Sequence, residues 1–172
     1  KPMVDEGLQI VRYSPKERNI LGYAGESALI RFYKDPDEYK GYTGESTLVA
    51  NFSQSIKQRS RFCYYLELTQ IMQGYPYKIF GVGNEDLGEV WGGELDHEQM
   101  KNVMRESRVY VYGGTWPASY TLSFIEAFMT GIPVVSIGSK TAEGDRTDVL
   151  NHYEIPDIIE DGVTGFVSDD IQ

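Results

Sequence analysis

The stretch Gly113-Gly114-Thr115-Trp116-Pro117-Ala118-Ser119-Tyr120-Thr121-Leu122 joins an apolar, β-rich run to a helical pattern. Small residues at such a junction let a ligand approach the backbone closely. The amides at the start of a helix have no partner within it, and the helix dipole favours negative charge there, so Ser119 to Leu122 are expected to form an anion site. Glu126 falls about two turns into the same helix, where its carboxylate can accept hydrogen bonds from the vicinal hydroxyls of a sugar. On spacing alone an ordinary helix start with a solvent-facing Glu126 explains the same residues, and both readings stay open at this point.

Other chemistry-bearing residues are weaker. Gly81-Val82-Gly83 follows a strand pattern but lacks the third glycine of a dinucleotide fingerprint. Asp35-Pro36-Asp37 pairs two carboxylates inside a polar run, Lys34 to Gly44, rich in turn formers, and reads as a turn. His97 reads as a first-turn helix residue, His152 as a loop residue and Cys63 as core, and no Cys/His cluster has zinc spacing.

Elements that alternate between strand and helix must position these residues. Leu8–Tyr13, Ala28–Tyr33, Thr47–Phe52, Tyr77–Val82, Val90–Trp91, Val109–Tyr112 and Ile132–Ile137 read as strands. Ser14-Pro15-Lys16-Glu17 and Asp96-His97-Glu98-Gln99 are capping boxes, opening helices that end near Gly22 and Glu106. Lys57–Gln73 has helical apolar spacing, and a helix from about Ser119 to Thr130 ends with Gly131 at C′. The alternation predicts an α/β fold, a parallel sheet with helices on both faces, which carries ligands at the carboxyl ends of its strands.

Composition sets the outer bounds. With 172 residues, 41% hydrophobic and 24% charged, the chain is globular and long enough to form a core without disulfides or metal. The single cysteine fits a reducing, cytoplasmic compartment, and there is no transmembrane segment and no signal segment. A net charge of −10 argues against nucleic acid as a partner. Acids concentrate from Lys140 to Gln172, a solvated face in the simplest reading.

Ser119-Tyr120-Thr121-Leu122-Ser123-Phe124-Ile125-Glu126-Ala127-Phe128-Met129-Thr130-Gly131-Ile132-Pro133-Val134-Val135 resembles the donor-binding motif of GT-B glycosyltransferases, the retaining group similar to glycosyltransferase family 4. Ile155-Pro156-Asp157-Ile158-Ile159-Glu160-Asp161-Gly162-Val163-Thr164-Gly165-Phe166-Val167 resembles that family's later "ipEiIedGetGflv" segment. More loosely, Asn51 to Lys57 sits at the family's phosphate-binding loop, Trp91 to Leu95 at its base-binding loop, and Lys34 to Gly44 at its interdomain segment.

The resemblance implies the Rossmann-like C-terminal domain of a GT-B transferase, metal-independent, of the hexosyltransferase type, acting in carbohydrate biosynthesis. Residues 1–44 would be a remnant of an N-terminal domain with the interdomain linker, and residues 45–172 the nucleotide-sugar domain. Glu126 would bind the ribose hydroxyls. The amides of Ser119, Tyr120, Thr121 and Leu122 would bind the diphosphate, with Lys57 and Arg59 as countercharge, and Gly93 and Leu95 would touch the base. The partners implied are a nucleotide sugar as substrate, no cofactor, a carbohydrate or other acceptor, and a missing N-terminal domain that binds it. Two departures stand out: Ala118 falls where the family has its first glutamate, and Asn51 falls where it has an arginine. A nucleotide-sugar 2-epimerase and a non-catalytic nucleotide-sugar-binding module are the alternative readings.

Overall fold

The computed structural model describes residues 6–146 and 151–171. Its centre is a six-stranded sheet, parallel throughout, formed by β3 (Val49–Phe52), β4 (Tyr77–Phe80), β5 (Trp91–Gly93), β6 (Val109–Tyr112), β7 (Val134–Ile137) and β8 (Gly165–Ser168). The order across the sheet is β5-β4-β3-β6-β7-β8. β4, β3, β6 and β7, which cover the runs read as strands over Tyr77–Val82, Thr47–Phe52, Val109–Tyr112 and Ile132–Ile137, lie side by side. β8 comes from the glycine-rich segment near the C-terminus and was not foreseen as a strand.

Successive residues point to opposite faces, which divides the flanking helices. Tyr110 and Tyr112 reach toward the Leu122–Thr130 helix, which packs with the His97–Glu106 helix. Val109 and Val111 face the other way, beside Ile71 of the Tyr65–Met72 helix. The result is a Rossmann-like α/β sheet covered on both faces.

Large tyrosines carry much of the core. Tyr39, Tyr110, Tyr112, Tyr120 and Tyr153 are fully buried. A buried hydroxyl needs a partner, and each of these has one. Tyr110 meets Ser123 Oγ at 3.1 Å and Tyr153 meets Ser136 Oγ at 2.8 Å. Tyr120 donates to the Tyr13 carbonyl at 3.1 Å, and Tyr112 accepts from the Thr121 amide at 3.0 Å.

Before this sheet, β1 (Val11–Arg12) and β2 (Ala28–Leu29) form a parallel pair of their own. Both are shorter than expected, because a two-stranded pair has little apolar surface to cover it: Leu8, Val11, Leu29 and Ile30 are exposed. The Ser14–Glu17 capping box forms as expected, but it opens a 3-10 helix that ends at Asn19. The segment is docked on the C-terminal part of the chain. Tyr13 stacks on Phe32 with ring centres 4.2 Å apart, and both rings meet Tyr120 edge-on. Buried Glu154 accepts from Ser14 Oγ at 2.5 Å and pairs with Arg31 at 2.6 Å.

Two helices depart from the sequence expectation for the same reason, a tyrosine held by tertiary contacts. The helix expected over Lys57–Gln73 is broken into Ser60–Cys63 and Tyr65–Met72, with Tyr64 between them at φ 57°. Tyr64 is buried there, donates to the Ala142 carbonyl at 2.6 Å and lies under the Arg146 guanidinium. The helix expected from Ser119 begins instead at Leu122 with Thr121 as its N-cap, because Ser119 and Tyr120 are buried beneath Tyr13. Gly131 closes it at φ 87°, and the Asp96–Gln99 capping box opens the His97–Glu106 helix, both as expected.

Two substitutions test this packing. A Cβ on Gly165 would lie 2.1 Å from the Val134 carbonyl oxygen, so Gly165→Ala should destabilise the fold by about 3 kcal/mol in urea unfolding. Tyr112→Phe leaves the Thr121 amide without its acceptor and should cost about 1–3 kcal/mol in the same measurement. An unchanged midpoint in either case would show that the neighbourhood relaxes freely.

Candidate functional site

In an open parallel sheet, neighbouring strands whose connections run in opposite directions leave a crevice at their carboxyl ends. That point lies between β3 and β6 here, since β4 and β5 follow on one side and β7 and β8 on the other. A cleft of about 370 Å³ opens there, lined by residues that follow β3, β4 and β6 and by the start of the Leu122–Thr130 helix.

Its floor is aromatic. Phe52, Phe80 and Tyr112 are the last residues of β3, β4 and β6, and Tyr110 lies two residues before Tyr112 on the same face. Phe52 stacks on Phe80 at 5.5 Å and meets Tyr110 edge-on at 5.3 Å. The walls are small and polar: Ser53, Gln54, Gly81, Gly114, Thr115, Thr121 and Ser123. Gly81 has φ 133°, and a Cβ there would lie 2.8 Å from the Ser53 carbonyl oxygen, so glycine is required for the two loops to meet. Arg59 is the one charged side chain among the described residues that line the cleft. An arginine with no carboxylate beside it in the lining favours an anionic ligand.

The residues singled out in the sequence divide into three groups. Arg59, Leu95, Thr121 and Leu122 line the cleft together. Lys57 does not. It sits in a turn rather than a helix, and its ammonium lies 3.4 Å from Asp86. Gly93 belongs to the edge strand β5, where its carbonyl accepts the Gly81 amide at 3.1 Å and is used in the sheet. The four-amide anion site also needs correction. The Ser119 amide donates to the Tyr13 hydroxyl at 3.2 Å, the Thr121 amide donates to Tyr112, and Tyr120 is buried as core. The helix-start amides beside the cleft are therefore those of Leu122 and Ser123, the first two helical residues, which no helix can satisfy internally.

Glu126 stands one turn behind Ser123 and is buried, 7% exposed. It does not face solvent and does not line the cleft itself. Its Oε1 takes an ion pair from Lys34 Nζ at 2.8 Å and a hydrogen bond from the Tyr39 hydroxyl at 3.1 Å. The bond to Glu126 holds the Lys34 ammonium above its ordinary pKa, and burial raises that of Tyr39. Both partners come from the run read as a linker. Within it, Asp35 caps a short helix, Pro36–Tyr39, by accepting from the Asp37 amide at 3.0 Å, so the Asp35/Asp37 pair is the turn it was expected to be. His97, at the start of its helix, meets the Tyr39 hydroxyl at 3.2 Å and Glu38 at 3.3 Å.

Lys34, Tyr39 and the aromatic floor were missed in the sequence. Aromatics ending three strands, Phe52, Phe80 and Tyr112, were the available signal for the floor. Nothing local marks Lys34 as the partner of a residue so far along the chain.

Among the described residues, no group of three or more His, Cys, Asp or Glu side chains is arranged to hold a metal ion, and no helix is long and apolar enough to cross a membrane. No family model matches the sequence, and no curated protein matches it in sequence. The fold does have solved counterparts. The structure of HepE from Anabaena in complex with UDP and glucose superposes with a TM-score of 0.54 at 14% identity, over 86% of this chain and 44% of HepE. The structure of TarM superposes with a TM-score of 0.58 at 15% identity, over 92% of this chain and 33% of TarM. The chain thus spans less than half the length of these proteins and shares the α/β fold of the part it covers.

Proposed function

We propose that this chain is the donor-binding half of a GT-B glycosyltransferase, transferring a sugar from a nucleotide-diphosphate sugar to an acceptor bound by a further domain. The observation that carries the reading is the cleft at the β3/β6 crevice, which combines Arg59, the Leu122 and Ser123 amides and an aromatic floor, with no carboxylate among the described residues that line it. Two further supports are the motif spanning Ser119 to Val135 and the likeness to HepE, whose structures hold UDP with glucose and UDP-glucose.

In this reading the diphosphate lies against the helix start and Arg59. Charge grows on the leaving diphosphate as the glycosidic bond breaks, and preorganised donors at that position stabilise it in the transition state. The reaction on this side of the cleft then runs without a metal or cofactor. Leu95 borders the nucleoside end. Glu126 receives the ribose hydroxyls through Oε2, which has no hydrogen bond among the described residues. Residues 1–44 belong to the junction with the acceptor domain, and the exposed apolar residues of β1 and β2 fit a sheet continued by it. Ala118 offers no hydrogen bond to the transferred sugar, so contacts to that sugar come from elsewhere in the cleft. The enzyme works in the cytoplasm in carbohydrate biosynthesis.

Calorimetric titration of the chain with UDP, ADP and GDP tests the reading. At least one should bind, and thermal shifts should follow the same order. Arg59→Ala should weaken nucleoside-diphosphate binding about tenfold and leave binding of the matching nucleoside unchanged. Glu126→Ala should weaken it about ten- to a hundredfold, and Glu126→Gln less, because an amide oxygen still accepts. Glu126→Ala should also lower stability by about 1–3 kcal/mol, since it strips Lys34 and Tyr39 of their shared partner. Affinities unchanged in both Arg59→Ala and Glu126→Ala would move the site away from this cleft.

A further inference from the structure

We infer that Lys34 and Tyr39 are positioning residues for the Glu126 carboxylate, and that through it they set a preference for nucleotides with free ribose hydroxyls. The inference rests on the donor-binding reading above and deepens it. Its basis is the asymmetry of the carboxylate: both partners converge on Oε1, Lys34 at 2.8 Å and Tyr39 at 3.1 Å, while Oε2 has no hydrogen bond among the described residues.

A carboxylate gripped at one oxygen presents the other in a fixed direction. Ordering a glutamate side chain on ligand binding would otherwise cost rotamer freedom, and preorganisation removes that cost. Lys34 adds a second effect, a cation 2.8 Å from Oε1 that holds this end of the carboxylate by a charge-assisted bond.

Tyr39 is itself held in place. It is fully buried, and its ring lies near the ammonium groups of Lys34 and Lys101, each 5.7 Å from the ring centre. Its hydroxyl also meets His97 Nε2 at 3.2 Å. Lys101, nearly buried, pairs with Glu38 at 3.0 Å and Glu98 at 2.7 Å, which anchors the Pro36–Tyr39 helix against the His97–Glu106 helix. The aim of the Glu126 carboxylate is thus decided by a segment that precedes the sheet in sequence.

The test compares UDP with 2′,3′-dideoxy-UDP, titrated calorimetrically into the 172-residue chain, with the ADP or GDP pair in their place if the wild type binds one of those more tightly. Tyr39→Phe and Lys34→Met should each weaken UDP binding about tenfold and leave dideoxy-UDP binding unchanged. In a Glu126→Ala background neither change should weaken UDP further, because the positioned group is gone. Melting curves check that both variants fold, and Lys34, partly exposed, provides the variant less able to disturb the core. Equal losses for UDP and dideoxy-UDP would overturn the inference by showing a general distortion of the cleft, and wild-type affinity in both variants would overturn it outright. If Glu126→Ala weakens UDP while Tyr39→Phe and Lys34→Met do not, the inference alone fails. If Glu126→Ala has no effect, or the wild type binds none of the three diphosphates, the donor-binding reading fails and the inference with it.

Discussion

Burying a tyrosine obliges the fold to give its hydroxyl a partner, and that obligation organises this protein. The partners are seldom in the same element. Tyr112 reaches from β6 to the backbone of Thr121, Tyr110 to Ser123, Tyr120 to the Tyr13 carbonyl, Tyr64 to Ala142 and Tyr39 to Glu126. An unsatisfied buried hydroxyl is costly, so each bond fixes a loop or a helix end at a set distance from the sheet. Three of these, from Tyr110, Tyr112 and Tyr39, converge on the Leu122–Thr130 helix and its cap. The position of that helix start relative to the cleft is a consequence of tyrosine burial before it is a matter of ligand chemistry.

The same logic explains how the first part of the chain becomes inseparable from the cleft. Tyr13 and Phe32 cover Tyr120, and Glu154 draws Ser14 and Arg31 onto the far side of the sheet's loops. Lys34 and Tyr39 then continue along the Leu122–Thr130 helix to Glu126. A buried carboxylate paired with a partly exposed cation contributes little net stability when compared with an apolar replacement, but its bonds fix where each partner lies. Glu154 and Glu126 act in this way at the two ends of the segment.

Strand positions and helix ends were legible where local chemistry decides them. The runs of β3, β6 and β7 are apolar but for Asn51 and Ser136, as strands covered on both faces should be, and Asp96, Gln99 and Gly131 mark helix ends by backbone requirements that act within a few residues. The break at Tyr64 and the delayed helix start at Leu122 were not legible. Both depend on a tyrosine meeting a residue distant in sequence, and apolar periodicity continues through each break without change. For the site, Arg59 and Leu95 came from the family resemblance, and Leu122 also from its place at a strand-to-helix junction. Of the others that the resemblance pointed to, Lys57 stands in a turn and faces Asp86, and Gly93 lies in β5 and is used in the sheet, distinctions set by side-chain direction and pairing. Glu126 was recognised as a carboxylate of interest, yet its partners are contributed by a run that composition marks only as polar.

A solitary arginine in the cleft of a chain with a net charge of −10 has a kinetic side. At distances beyond the cleft, an approaching anion meets the summed field of these 172 residues, which is repulsive, and it meets the attraction of Arg59 only on close approach. Ions in solution screen the first over a Debye length of about 8 Å at physiological ionic strength and act much less on the second. Raising the salt concentration therefore weakens the long-range barrier that these residues present to an anion, the opposite of its effect on electrostatically steered enzymes.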